Sequence, residues 1–133
     1  MANRQFTQFR YSLEKAVVDL YAKVTFGASG APTLTWGKGI KSVTGGAAAG
    51  ATGVFTFTLD DRYQKLLGAD ATVVLAAASF AAAPFFQVTA DNSGAAAKTV
   101  VVQLSDADTP AATDPASGEI ILFHFTLSNS SAL

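Results

Sequence analysis

The chain has 133 residues, half of them hydrophobic and 14% charged, and its formal net charge is −1. This length suits a single domain with a real hydrophobic core, and the near-neutral charge gives no reason to expect affinity for nucleic acid or an anionic membrane. Because the sequence has no cysteine, disulfides, thiolate chemistry and cysteine-type zinc sites are excluded.

Residues 1–15 (MANRQFTQFRYSLEK) are predicted to form an N-terminal arm. Phe6, Phe9 and Leu13 follow one another at spacings that would align them on one side of a short helix, and an extended arm is the alternative. The arm either folds onto its own domain or reaches a neighbouring subunit. It lacks the apolar stretch of a signal peptide, so we expect a protein made in the cytosol.

Eight segments are predicted as β-strands. In residues 54–59, Phe55, Phe57 and Leu59 alternate with other side chains, as expected for a strand with one face in a core. Residues 119–128 alternate in the same way. The other six predicted strands are residues 17–26, 33–36 (a short edge strand), 40–44, 71–80, 85–90 and 98–105.

The connections are predicted from glycine, proline, aspartate and asparagine. Residues 45–53 (GGAAAGATG) are predicted to be the long, flexible loop of a hairpin. Asp60 and Asp61 end the next strand in a turn, and residues 63–68 are predicted to fold back over the core as a lid. The alanine run at 76–78 leaves open whether the fifth predicted strand is strand or helix there.

Short strands at spacings of about 10–15 residues, without a βαβ rhythm, predict an all-β fold. We expect an antiparallel β-sandwich or a jelly-roll-like barrel of about eight short strands with an N-terminal arm. The arm is assigned to residues 1–15 and a single β-domain to residues 16–133.

No catalytic constellation is visible in the sequence, so we expect no enzymatic activity, no cofactor and no metal centre. The only histidine, His124, has no second histidine or glutamate at ligand spacing on its strand and is interpreted as a packed or surface residue. Asp106, Asp108 and Asp114 could contribute to a calcium site in an acidic loop, but their spacing does not match an EF-hand.

Aromatic residues allow two interpretations. Trp36, Tyr63 and the phenylalanines could line a sugar-binding face if several were exposed together. Most of them lie at alternate positions within predicted strands, so we favour the interpretation that they fill the core.

Charge is distributed unevenly along the chain. Residues 1–65 carry eight Lys or Arg and four Asp or Glu, a net charge of +4, whereas residues 91–133 carry one Lys and five Asp or Glu, a net charge of −4. This asymmetry could orient the domain on a charged partner or favour head-to-tail contacts between copies, and it could also have no function.

The sequence resembles small virion proteins of tailed bacteriophages over most of its length. The resemblance rests on the runs RQF (4–6), RYSLEK (10–15), VDLYAKVTFG (18–27), GAPTL (30–34), KGIKSV (38–43), VFTF (54–57), DRY (61–63), LLG (66–68) and GEIIL (118–122). The Ala/Gly-rich segments 45–53 and 76–83 fall outside it.

This resemblance implies a capsid decoration, or cement, protein. Such a protein is a compact β-domain, often a trimer, that binds the outer surface of the assembled phage head and clamps neighbouring major capsid subunits. The expected partners are the major capsid protein and further copies of the chain, with neither nucleic acid nor membrane, and the expected location is the virion surface. Contact with the capsid or a neighbouring subunit is assigned to arm residues Arg4, Phe6, Phe9, Arg10 and Tyr11.

The alternative function is an adhesion module, such as a head fibre or tail component, that binds host-surface carbohydrate. It would require exposed aromatic side chains around Trp36.

Overall fold

Eight β-strands make up almost all of the structure, a computed structural model that describes residues 17–75, 84–106 and 111–129. Two short 3-10 turns, at Ala28–Gly30 and Ala47–Ala49, accompany them. The strands are β1 (Val17–Phe26), β2 (Pro32–Lys38), β3 (Ile40–Gly46), β4 (Ala51–Leu59), β5 (Lys65–Leu75), β6 (Pro84–Asn92), β7 (Thr99–Asp106) and β8 (Ile120–Ser128).

The strands form two four-stranded sheets, and every ladder is antiparallel. Sheet 1 has the order β2-β1-β8-β5, and sheet 2 has the order β3-β4-β7-β6. The chain crosses between the sheets after β2, β4, β5 and β7. The predicted all-β fold of about eight strands is therefore confirmed, as a sandwich of two sheets.

Alternation along the strands builds the core between these sheets. Phe55, Phe57 and Leu59 of β4 are completely buried, and the alternate residues of β8 from Ile121 to Leu127 are buried against them. Phe57 contacts Phe123 and Phe125 across the sandwich, with ring centroids 4.8 and 5.1 Å apart. Each such aromatic pair adds about 0.5–1.5 kcal/mol to the free energy gained from burial.

The edges of both sheets are irregular, whereas their centres are regular. The β1–β8 and β4–β7 ladders run without a register shift. Each ladder that joins an edge strand to a central strand contains at least one shift, in β2–β1, β3–β4, β5–β8 and β6–β7. Bulges of this kind twist an edge and hinder the addition of a further strand.

Two predicted connections are wrong. Gly45, Gly46 and residues 51–53 belong to β3 and β4, so the connection is only the turn at 47–50. Residues 65–68 belong to β5 and not to a lid, although Tyr63 is buried as expected. In both places glycine was interpreted as a turn residue, but it lies within a strand at or near a register shift.

Other predictions lie wholly or partly outside the described residues. The arm at 1–15 and the alanine run at 76–78 are among them, and so are Asp108 and residues 76–80 of the strand predicted at 71–80. The remaining strand bounds agree with the prediction to within a few residues. The second strand is an edge strand, as predicted, and extends to Lys38.

Asp114 ties the connection before β8 to the β3–β4 hairpin. Its carboxylate accepts hydrogen bonds from the backbone N–H groups of Ala47, at 2.9 Å, and of Gly53, at 2.6 Å. Gly53 has φ +67°, and a Cβ atom there would lie 2.5 Å from Thr113 N, so the close approach requires glycine. The sequence suggested this aspartate as a calcium ligand, but its two oxygen atoms bind backbone amides.

Removing the Asp114 carboxylate should destabilise the sandwich. We expect Asp114→Ala to lower the free energy of unfolding by about 1–3 kcal/mol, because two backbone N–H groups lose their acceptor. Chemical denaturation measures this change. Asp61→Ala is the control, since it removes the same charge from an exposed turn and should change stability by less than about 0.5 kcal/mol. Equal stability of the two variants would show that the Asp114 contacts do not stabilise the fold.

Candidate functional site: the outer face of sheet 1

The outer face of sheet 1 combines exposed aromatic, basic and acidic side chains. On β1, Leu20, Ala22 and Val24 point into the core, so the residues between them point outward. The same holds for β8, and the register places side chains of β2 and β5 beside them. This surface, the sheet 1 face, comprises Asp19, Tyr21, Lys23, Trp36, Lys38, Asp70, Leu122 and His124.

His124 lies at the centre of the sheet 1 face between two carboxylates. Its Nε2 is 2.9 Å from Asp19 Oδ1, and its Nδ1 is 3.4 Å from Asp70 Oδ2. The Thr126 hydroxyl also donates to Asp19 Oδ1, at 3.1 Å. A neutral imidazole has one N–H and the imidazolium has two, so only the protonated form can donate to both carboxylates.

The cluster shifts the ionisation of its members in opposite directions. The hydrogen bond to Asp19 raises the pKa of His124 above its ordinary value, with a further contribution from Asp70, and partial burial opposes this shift. The hydrogen bond from His124 lowers the pKa of Asp19. Both shifts favour the charged pair.

Tyr21 covers one side of the imidazole ring. The two rings are stacked, with centroids 4.6 Å apart and an angle of 6° between their planes. Lys38 Nζ lies 5.9 Å from the centroid of the Tyr21 ring, within cation–π distance. The lysine, the tyrosine, the imidazole and Asp70 thus form one continuous row across the four strands of sheet 1.

Trp36 is the most exposed aromatic side chain of the sheet 1 face. It is 56% exposed, and Tyr21 and Leu122 on the same face are 38% and 41% exposed. The prediction that Trp36 fills the core is therefore wrong. The register shift opposite Lys23 adds Thr35 to β2, and this extra residue reverses the side on which the tryptophan points.

The outer face of sheet 2 has a different character. Its central strands present Thr56, Thr58, Val101 and Gln103, which are uncharged and half-buried. Phe85 of β6 is an isolated aromatic at the edge, 59% exposed. Mixed charge and neighbouring aromatic side chains therefore distinguish the sheet 1 face from the sheet 2 face.

Within the described ranges, no three His, Cys, Asp or Glu side chains are grouped closely enough to hold a metal ion. Asp19 and Asp70 approach different nitrogen atoms of His124, so the imidazole separates the two carboxylates. In the same part of the chain, no helix is long and apolar enough to cross a membrane.

The arm residues predicted to make capsid or subunit contact, Arg4, Phe6, Phe9, Arg10 and Tyr11, lie outside the described residues. The sequence predicts a possible site on the sheet 1 face only at Trp36, in the alternative carbohydrate-binding function. The cluster on this face joins His124 to Asp70 and Asp19, which precede it by 54 and 105 residues in sequence, and only the strand register brings them together.

Comparison of the chain with protein-family models, with curated protein sequences and with solved structures finds no match.

Because the chain has a single histidine, the pKa of His124 can be measured directly. An NMR titration of the imidazole should give a pKa above about 6.5, the ordinary value. Asp19→Asn should lower this pKa more than Asp70→Asn, since the Asp19 contact is shorter. A wild-type pKa at or below the ordinary value would contradict the charged-pair geometry.

The folding stability of the domain should depend on pH through the ionisation of His124 and Asp19. The His124 contribution is present below about pH 6.5 and is lost as the pH rises through the raised pKa; the Asp19 contribution is present above about pH 3.9 and is lost as the pH falls. Both contributions are therefore present between about pH 4 and 6.5. The melting temperature of His124→Gln relative to wild type should show a deficit in this window that shrinks above it.

Proposed function

We propose that this chain is a phage capsid decoration, or cement, protein that binds the outer surface of the assembled head and stabilises contacts between major capsid subunits. The proposal includes synthesis in the host cytoplasm, residence on the virion and no enzymatic activity. Its first support is the sequence resemblance to small virion proteins of tailed phages. Clamping requires a rigid domain and repeated contacts, and it requires no catalytic group.

The observation that carries the proposal is the concentration of exposed apolar side chains on one face. Seven large hydrophobic side chains are exposed in the described residues, and four of them lie on strands β1, β2 and β8 of sheet 1: Val17, Tyr21, Trp36 and Leu122. Neighbouring exposed apolar groups with a polar surround are typical of protein interaction surfaces. The sheet 1 face is accordingly the surface that we assign to the capsid.

The irregular edge strands support a face-to-face mode of binding. Every edge-strand ladder contains a register shift, so an edge offers a poor template for pairing with a strand of another protein. Contact through the side chains of a flat face avoids this difficulty. Many copies on one lattice then add their contacts, so each interface can be modest.

The N-terminal arm and oligomerisation complete the proposal. Arg4, Phe6, Phe9, Arg10 and Tyr11 precede β1 and are assigned to capsid or subunit contact, and the expected assembly is a homotrimer. β1 is a central strand of sheet 1, so the arm connects to the domain at the strand that bears Tyr21 and Lys23.

A second candidate function is a head-fibre or tail adhesion module that binds host-surface carbohydrate. One observation favours it specifically: Trp36 is 56% exposed and lies on the same face as the exposed Tyr21 ring. Exposed aromatic rings can stack on the apolar faces of sugars. Binding on a glycan array that is lost in Trp36→Ala, together with no binding to heads, would support this function instead.

Co-sedimentation with phage heads that lack the protein tests the first proposal. We expect saturable binding at a fixed ratio to the capsid subunit, and heads that survive more heat. Trp36→Ala should weaken binding at least about tenfold, as expected for an aromatic hot spot, with little change in stability because the side chain is exposed. Phe85→Ala is the matched control, since it removes an exposed aromatic from the other sheet.

Two outcomes would count against this function. A folded wild-type protein that does not bind heads would exclude the cement role. Equal loss of binding in Trp36→Ala and Phe85→Ala would show that the sheet 1 face is not the specific capsid-binding surface, even if the protein has the cement role.

Deletion of residues 2–12 tests the arm separately. We expect head binding to be abolished while the melting temperature and the circular dichroism spectrum of the β-domain stay close to those of the full chain. Unchanged head binding would remove the arm from the interface.

A further inference from the structure

Lysine and aromatic side chains alternate on the half of the sheet 1 face formed by β1 and β2. Tyr21 lies opposite Lys38, and Lys23 lies opposite Trp36, in consecutive outward pairs of the same ladder. Side chains in neighbouring pairs of this kind are within reach of one another. These four residues form a square, with the two lysines on one diagonal and the two aromatic residues on the other; we call it the lysine–aromatic square.

The two lysines of the square differ in exposure. Lys38 is exposed and Lys23 is half-buried, and neither forms an ion pair with another described residue. Asp19 of β1 and Asp70 of β5 both approach His124 of β8, and the charge of Lys38 also helps to lower the pKa of Asp19. The β1–β2 half of the sheet 1 face thus carries Lys23 and Lys38, which form no ion pair among the described residues, and one carboxylate, Asp19, which is hydrogen-bonded to His124.

Three of the five acidic side chains in residues 91–133 have a role within the fold. Asp91 accepts hydrogen bonds from Ser93 and from the backbone N–H of Leu66. The Asp114 carboxylate is held by two backbone amides, and Glu119 is fully buried. Hydrogen bonds or burial thus engage these three carboxylates, although Asp91 remains exposed.

We propose that the lysine–aromatic square binds an acidic strip on the surface of the major capsid protein. This inference rests on the proposed cement function and deepens it by stating the chemistry of the partner. Carboxylates of the partner would lie over Lys23 and Lys38, while apolar groups beside them pack on Trp36 and Tyr21. Desolvation by the aromatic rings strengthens each charge pair relative to one in open water.

Charge reversal of the two lysines tests the inference in the co-sedimentation assay. Lys23→Glu with Lys38→Glu should weaken head binding at least about tenfold, and raising the salt concentration should weaken wild-type binding, because the contact is ionic. Lys41→Glu is the matched control: it reverses an exposed lysine of β3 in sheet 2 and should change binding less than twofold. If the charge-reversed double variant does not fold, Lys23→Gln with Lys38→Gln is used in its place.

Each remaining outcome would overturn the inference in a distinguishable way. Wild-type-like binding by the double variant, with no salt dependence, would overturn the acidic partner and leave the cement function intact. Absence of head binding by the wild type would contradict both the acidic partner and the cement function. Light scattering that shows loss of self-association in the double variant, with head binding retained, would assign the square to a second copy. Lysine-dependent retention of the wild type on alginate, with no head binding, would assign it to an acidic polysaccharide.

Discussion

The contact of Phe57 with Phe123 and Phe125 is the interaction on which the rest of the structure depends. It joins β4 of sheet 2 to β8 of sheet 1 at the middle of the core, with ring centroids about 5 Å apart. Both strands are central in their sheets, and each belongs to a ladder without a register shift. Deleting any of these rings would leave a cavity between the sheets, and removal of a buried phenylalanine typically costs about 3–5 kcal/mol.

The regular centre fixes the sheet 1 face, because outward residues of β1 and β8 are paired one to one. Tyr21 lies directly opposite His124 for this reason, and their rings stack. The irregular edges have the opposite consequence, since shifts in β2 and β5 rotate side chains that a regular strand would bury. Sheet 1 is therefore regularly paired at its centre, whereas register shifts in its edge strands turn further side chains toward the surface.

Much of this fold was predictable from the sequence, and the reason is the period of two. The alternation in β4 and β8 identified the buried phenylalanines correctly, because a strand with one buried face imposes that spacing. The start of β5 was missed because Gly68 was interpreted as the end of a lid, and because the bulge residue Leu67 interrupts the alternation there. A bulge inserts one residue without leaving a recognisable signature in a single sequence.

The candidate site was harder to predict than the fold. His124 has no charged residue near it on its own strand, and its partners come from β1 and β5 through the register. Register depends on how whole strands pair, so spacing within one strand cannot disclose it. The exposure of Trp36 was missed for a related reason, since an extra residue in a short edge strand reverses the side on which it points.

Positive and negative charges are placed unevenly across the sheet 1 face. Two lysines lie on the β1–β2 half, and Asp70, whose side chain is 72% exposed, lies on the β5 margin. A partner with uniform negative charge would gain at Lys23 and Lys38 and lose at Asp19 and Asp70, whereas a partner whose acidic strip covers only the lysines would lose less. Opposed favourable and unfavourable charges are a common source of specificity in interfaces. In the proposed contact with the capsid, the sheet 1 face should therefore select its partner by the pattern and orientation of the partner's charges, more than by the partner's net charge.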